Sequence, residues 1–110
     1  RYDWIVTGDL GLVGSGICKD LLARQGLNIN ERHKDCGLMI FDLKKQDVHA
    51  GGSGCGCSAI TFAAYILKQL RERNWRRVLF IPTGALLSQV SFNEGNTIPC
   101  IAHAVMVEAR

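Results

Sequence analysis

The sequence predicts an α/β domain with a mixed, mostly parallel sheet that is covered by helices and ends in an antiparallel pair of strands. Short β-branched and aromatic segments alternate with longer helical segments, which is typical of a parallel sheet. A glycine-rich turn, Gly51 to Gly56, precedes a strongly apolar helical segment. The last two strand segments follow one another with no helix between them, so we expect them to pair antiparallel.

The first half of the chain is predicted to contain a strand, a helix and a second strand. Asp3 to Thr7 is short, β-branched and aromatic, and a Gly-Asp turn follows it, as after a buried strand. From Ser15 to Gly26 apolar residues recur at helical spacing, which predicts an amphipathic helix of about three turns. Asn28 to Asp35 is polar and is predicted to be a surface loop. Leu38 to Leu43 is an apolar run suited to a strand, although periodicity does not distinguish so short a run from a helix.

The second half is predicted to contain one helix and two strands. Ser58 is the expected N-cap of a helix over Ala59 to Leu70, which is apolar on most faces and is therefore expected to lie buried between layers. Val78 to Pro82 and Ile101 to Val107 have the composition of strands.

Composition limits the classes of protein to be considered. A chain of 110 residues that is 47% hydrophobic is expected to form a single domain over residues 1–110. The net charge of +3, with both signs mixed along the chain, does not predict a nucleic-acid partner. Five cysteines, an odd number, favour a reducing compartment over a disulfide scaffold. The apolar runs are shorter than the roughly 20 residues of a membrane-spanning helix, so we expect a soluble chain. The start at Arg1, without Met, is expected for a fragment of a longer protein.

The glycine-rich turn is the least ordinary segment of the sequence. It has four glycines in six residues and stands where a helix is predicted to begin. Backbone N–H groups at such a place can bind a carboxylate or a phosphate. The alternative is that the glycines allow a helix to pack closely against the sheet. The spacing matches neither a P-loop nor a dinucleotide fingerprint.

Cys55 and Cys57 form a pair beside the predicted helix start. This setting can lower the pKa of a thiol and make it reactive. The alternative is that both are small residues that fill space, which is the commoner role of cysteine. His49 and His103 are not spaced as zinc ligands with this pair, so no metal site is predicted.

Two other features have both a functional and a structural interpretation. Asp9 follows the first strand, where α/β sheets place functional groups, but it can equally be a turn residue that bonds its own backbone. The basic stretch Lys68 to Arg77 can contact acidic lipid or a partner, or it can be a solvated face that compensates the helix dipole. His33 and Lys34, in the predicted loop, are assigned no role.

Five segments of the chain form a pattern in their order and spacing. They are Ile5 to Gly11, Asp35 to Ile40, Ala50 to Cys55, Pro82 to Ser88 and Ile98 to Ala104. This pattern resembles the carboxy-terminal half of the thiolase-fold family, and within it a branch of sporulation proteins. The resemblance covers nearly the whole chain but only about the last third of such a protein.

The resemblance also bears on catalysis. The related condensing enzymes take a Cys nucleophile from the first half, and a His and an Asn from the second half stabilise the thioester oxyanion. The similar places in this chain are Gly8, where no His stands, and Ser53, where no Asn stands. A condensing reaction is therefore not expected. The alternative is an acyltransferase whose nucleophile lies in the preceding half or is Cys55 or Cys57.

The resemblance implies a non-catalytic protein that binds dipicolinic acid, with or without calcium, and assists its uptake into the developing spore. It implies no cofactor, a place in the spore or forespore peripheral to the inner membrane, membrane-associated sporulation proteins as partners, and homo-oligomers formed by thiolase-type pairing. A small aromatic dicarboxylate suits a helix start with glycine N–H groups around it. The residues predicted to bind the ligand are Asp9, Gly52, Ser53, Gly54, Cys55, Thr83 and Gly84.

Overall fold

The computed structural model of the chain describes residues 2–54, 56–84, 93–95 and 101–110. Cys55 therefore lies outside the described residues, as do Ala85 to Ser88 and Ile98 to Cys100 of the resembling segments. The elements in chain order are β1 Trp4–Thr7, α1 Gly11–Arg24, β2 His33–Asp35, α2 Cys36–Met39, α3 Cys57–Thr61, a π-helical turn Phe62–Ile66, α4 Leu67–Arg71, β3 Arg77–Ile81 and β4 Val105–Glu108.

The sheet has four strands in the order β2-β1-β3-β4. β1 is parallel to both β2 and β3, so that Thr7 pairs with Asp35 on one side and with Ile81 on the other. β4 runs antiparallel to β3, with Arg77 opposite Glu108. The predicted mixed sheet with an antiparallel C-terminal pair is confirmed. The last strand is shorter than predicted, because β4 begins at Val105 and not at Ile101.

The predicted second strand is wrong. The strand that pairs with β1 is β2, inside the segment that was expected to be a surface loop, and Leu38 and Met39 belong to the short helix α2. β2 is a three-residue strand at the edge of the described sheet. Edge strands are often short and charged, so hydrophobic patterning does not identify them.

Helix α1 begins at Gly11, four residues before the predicted start at Ser15, and these two residues are its buried ones. Ile17 and Leu21, two of the apolar residues whose helical spacing predicted an amphipathic helix, are 56% and 53% exposed. The helix therefore approaches its neighbours on the side that carries small residues. Its apolar stripe is not covered within the part of the chain that the structure describes.

The predicted helix over Ala59 to Leu70 is confirmed as one helical segment that runs through α3, the π-helical turn and α4. Its N-cap is Gly56, whereas the expected cap, Ser58, lies within the first turn. The buried residues are Cys57, Thr61, Ile66 and Leu70, at spacings of four, five and four. The π-helical turn supplies the interval of five and keeps Ile66 on the buried side. The helix was expected to be buried between layers, but Ile60 on the opposite side is 57% exposed.

The core lies between this helical segment and the sheet. Val6, Ile66 and Val78 are fully buried there. The rings of Phe62 and Phe80 pack against the core with their centroids 4.8 Å apart. Within the described residues, no helix is both long enough and apolar enough to cross a bilayer.

Candidate functional site

The candidate site lies where the parallel strands β1 and β3 end. Asp9 follows β1 and Thr83 follows β3, and the carboxyl ends of neighbouring parallel strands meet at one edge of a sheet. Gly8 makes their close approach possible, because a Cβ at this position would lie 2.6 Å from the backbone nitrogen of Thr83. Only glycine fits this approach without displacement of the Thr83 backbone.

Three of the predicted ligand-binding residues are joined by hydrogen bonds at this edge. The Thr83 hydroxyl donates to Oδ1 of Asp9, and the Asp9 backbone N–H lies 3.3 Å from the Thr83 Oγ1. The Gly54 N–H donates to Oδ2 of Asp9 at 3.1 Å. The carboxylate of Asp9 is therefore bound by one donor from the loop after β3 and by one from the glycine-rich turn.

In the glycine-rich turn, one residue is buried in close packing and the next two are exposed. Gly52 is buried, its N–H donates to the Gly37 carbonyl at 2.7 Å, and an added Cβ would lie 2.5 Å from Cγ2 of Ile40. At Gly52 the structure therefore agrees with the close-packing interpretation. Ser53 and Gly54 are exposed beside Asp9.

Gly84, the last predicted site residue, also lies in a tight packing position. Its carbonyl accepts a hydrogen bond from the Ile101 N–H at 3.2 Å. A Cβ on Gly84 would overlap the Ile101 carbonyl oxygen, so this position admits no side chain.

A buried carboxylate beside the site was missed by the sequence analysis. Asp35, 1% exposed, accepts hydrogen bonds from the Thr7 hydroxyl at 2.6 Å and from the N–H groups of Leu10 and Gly11 at 2.9 Å each. It therefore occupies the N-terminus of α1, where an external anion would otherwise be favoured. Its only signal in the sequence is an Asp that closes a polar segment.

His33 extends this network. Its Nε2 lies 2.8 Å from the Thr7 Oγ1. The single hydroxyl hydrogen of Thr7 is donated to Asp35, so we assign a proton to Nε2 of His33, which donates to Thr7. Burial lowers the pKa of His33, and the positive charge of Lys19 lowers it further, although the carboxylate of Asp35 raises it in part. His33 is therefore neutral at physiological pH.

The described thiols beside the site are not activated. Burial, and after it the carboxylate of Asp35, raises the pKa of Cys36 to about 12. Burial also raises the pKa of Cys57, and the carboxylates of Asp9 and Asp35 raise it further. The Cys57 thiol lies 3.9 Å from the Gly8 carbonyl oxygen as a donor. These shifts favour the alternative interpretation of Cys57 as a small residue that fills space, because burial and two negative charges disfavour the thiolate.

The described residues bring together few metal ligands. Within residues 2–54, 56–84, 93–95 and 101–110 no group of three His, Cys, Asp or Glu side chains is placed to hold a metal ion. Cys55, the remaining predicted ligand-binding residue, is outside these ranges.

Comparison with known proteins gives two agreeing matches. The family model for stage V sporulation protein AD matches residues 1–108. A protein of Bacillus subtilis (strain 168) named "Stage V sporulation protein AD" is 50% identical to the chain over 107 residues, which are 97% of this chain and 31% of that protein. The chain thus spans about a third of the length of this relative. The family match covers nearly every residue, and the chain therefore belongs to the stage V sporulation protein AD family.

Proposed function

We propose that the protein is a non-catalytic, thiolase-fold sporulation protein that binds dipicolinic acid and assists its uptake into the developing spore. Membership of a sporulation family supports the spore-related part of this proposal. The protein acts peripherally at the inner membrane of the spore or forespore, as a homo-oligomer and together with membrane-associated sporulation proteins.

The observation that carries the proposal is the set of donors around Asp9. The Thr83 hydroxyl and the Gly54 N–H both donate to its carboxylate, so these groups are already arranged to bind a carboxylate. These donors are occupied by Asp9, so a ligand carboxylate, which is the same chemical group, takes them in place of the Asp9 side chain. Ser53, next to Gly54 in the chain, is exposed and has a small side chain.

The charge of Asp9 determines whether the ligand binds more tightly alone or together with calcium. A dicarboxylate that approaches the Asp9 carboxylate meets repulsion between like charges, which weakens its binding. Calcium prefers oxygen ligands and removes this repulsion when it is bound by the ligand and Asp9 together. Dipicolinate therefore binds more tightly in the presence of calcium.

The side chains beside the site support the non-catalytic part of the proposal. Gly8 and Ser53 supply neither the His nor the Asn of the condensing enzymes. The raised pKa of Cys57 keeps its thiol protonated, and a protonated thiol is a poor nucleophile.

A calorimetric titration of the intact protein with dipicolinate tests the proposal. Saturable binding is expected, tighter with calcium than with a chelator. Asp9→Asn should tighten the calcium-free binding, because the repulsion is removed, and should abolish the gain from calcium. Asp47→Asn, in an exposed loop, is the matched control and should behave as the wild type. No saturable binding of dipicolinate in either condition would contradict the proposal.

A further inference from the structure

Phe41 is an exposed aromatic residue next to the glycine-rich turn. It follows α2 by one residue and is 39% exposed. A Cβ built on Gly52 would lie 3.1 Å from Cε2 and 3.2 Å from Cδ2 of the Phe41 ring, so the ring lies directly against the Gly52 backbone. The close packing at Gly52 therefore also positions Phe41, because a larger residue there would displace the ring from the turn.

The Phe41 ring and the donors around Asp9 belong to one continuous set of contacts. A Cβ on Gly37 would lie 2.5 Å from the Gly52 carbonyl oxygen and 3.3 Å from Cα of Asp9, so the Gly37 backbone contacts both residues. Two residues beyond Gly52, the Gly54 N–H donates to the Asp9 carboxylate at 3.1 Å. Two residues of extended chain span at most about 7 Å. The ring and this N–H donor therefore lie on neighbouring parts of one short turn.

Hydrogen bonds hold the backbone on both sides of Phe41. The Ile40 N–H donates to the Cys36 carbonyl at 3.0 Å. The Asp42 N–H donates to Oε1 of Gln46 at 2.7 Å, and the Gln46 N–H donates to the Asp42 carbonyl at 2.8 Å. The segment that carries the ring is thus ordered without a ligand, and a preorganised group loses less entropy when a ligand binds.

We propose that the Phe41 ring stacks on an aromatic ligand whose carboxylate is bound at Gly54 and Thr83, an inference that rests on the function proposed above. Small-molecule sites combine aromatic side chains with a few convergent polar groups, and this edge of the sheet has both. The two donors recognise any carboxylate. The ring distinguishes among carboxylates, because offset-stacked rings attract each other beyond the effect of their buried area. The site therefore selects planar aromatic carboxylates over saturated ones of equal charge.

Calorimetric titration of the intact protein with two ligands, in the presence of calcium, tests this inference. Dipicolinate is compared with cis-cyclohexane-1,3-dicarboxylate, which has two carboxylates at the same ring positions but no aromatic face. Phe41→Leu should weaken the binding of dipicolinate about fivefold and change that of the saturated ligand by less than about twofold. Phe41→Tyr keeps an aromatic ring and should bind dipicolinate within about twofold of the wild type.

Tyr65→Leu is the matched control for the loss of a half-exposed ring. Tyr65 is also 39% exposed, but its ring packs edge-on against Trp75, with the centroids 5.6 Å apart. Trp75 in turn packs against Trp4 at the start of β1, whereas Asp9 follows the end of that strand. Tyr65→Leu should therefore leave the affinity for both ligands unchanged.

Four results would overturn the inference. Equal affinity of Phe41→Leu and the wild type for dipicolinate excludes stacking but leaves the proposed function intact. An equal loss of both ligands in Phe41→Leu shows that the turn is displaced and that the ring makes no selective contact. A loss of the same size in Tyr65→Leu shows an effect that is not local to the site. If the wild type binds no dipicolinate, the proposed function fails and this inference fails with it.

Discussion

The Thr7 hydroxyl donates a 2.6 Å hydrogen bond to the carboxylate of Asp35, which is 1% exposed. The same carboxylate accepts hydrogen bonds from the N–H groups of Leu10 and Gly11. It therefore connects the ends of β1 and β2 to the start of α1. The loop fixed in this way carries Asp9, the centre of the candidate site. This arrangement depends on a buried negative charge that is matched by donors on both oxygens.

Asp35→Asn should destabilise the protein by about 3 kcal/mol, because the new NH₂ group faces a donor and leaves it unpaired in the interior. The free energy of unfolding, measured in urea, gives this value. The matched control is Asp20→Asn, which breaks an exposed pair with Arg24 and should change that free energy by less than about 0.5 kcal/mol. Equal effects of the two substitutions would show that the buried network contributes little.

Stability should depend on the protonation of His33. Its folded pKa lies below the ordinary value of 6.5, so as the pH falls below 6.5 the unfolded chain takes up a proton that the folded chain does not. The contribution is fully present above 6.5 and is lost as the pH falls through the folded pKa. His33→Gln should flatten this part of the pH profile of the unfolding free energy. An unchanged slope in the variant would contradict the assignment.

Protonation of Asp3 should cause a second decrease in the free energy of unfolding, at lower pH. Hydrogen bonds from the backbone N–H groups of Arg76 and Arg77 lower the pKa of its carboxyl below 3.8. Its contribution is therefore present above 3.8 and is lost below it, whereas the contribution of His33 begins to be lost at 6.5.

Two glycines should respond to alanine in opposite directions. An added Cβ at Gly37 would lie 2.5 Å from the Gly52 carbonyl oxygen, so Gly37→Ala must displace the glycine-rich turn. At Gly16, inside α1, an added Cβ meets nothing within 4 Å. Gly16→Ala should raise the free energy of unfolding by about 0.5 to 1 kcal/mol through helix propensity, whereas Gly37→Ala should lower it by about 2 kcal/mol. Urea unfolding checks both signs, and a stabilising Gly37→Ala would refute the packing described for the turn.

The sequence predicted those parts of the fold that rest on local patterns. The strands around Val6 and Val78 and the helix around Ile66 are buried apolar segments, and their composition alone identifies them. β2 was missed because its pairing with β1 is a tertiary interaction, and a polar edge strand has no hydrophobic pattern. The side of α1 that is buried was missed because small residues, Gly11 and Ser15, face its neighbours.

At the candidate site, too, residues whose role depends on tertiary contacts were missed. Asp9 was singled out from its place after the first strand and Gly54 from the glycine-rich turn, whereas Thr83 was named through the family resemblance. The structure brings the three within hydrogen-bonding distance. Asp35 and His33 were missed because their role arises from partners more than 20 residues away in the sequence.

The most direct test of where the ligand binds is a dipicolinate titration of Ser53→Trp. Ser53 is exposed, so a large side chain there should leave the fold intact while it fills the space beside Asp9 and Gly54. Lys45→Trp, in another exposed turn, is the control for the added ring. We predict that Ser53→Trp weakens dipicolinate binding at least tenfold and that Lys45→Trp does not. Equal affinity of both variants and the wild type would contradict the assignment of the ligand to this edge of the sheet.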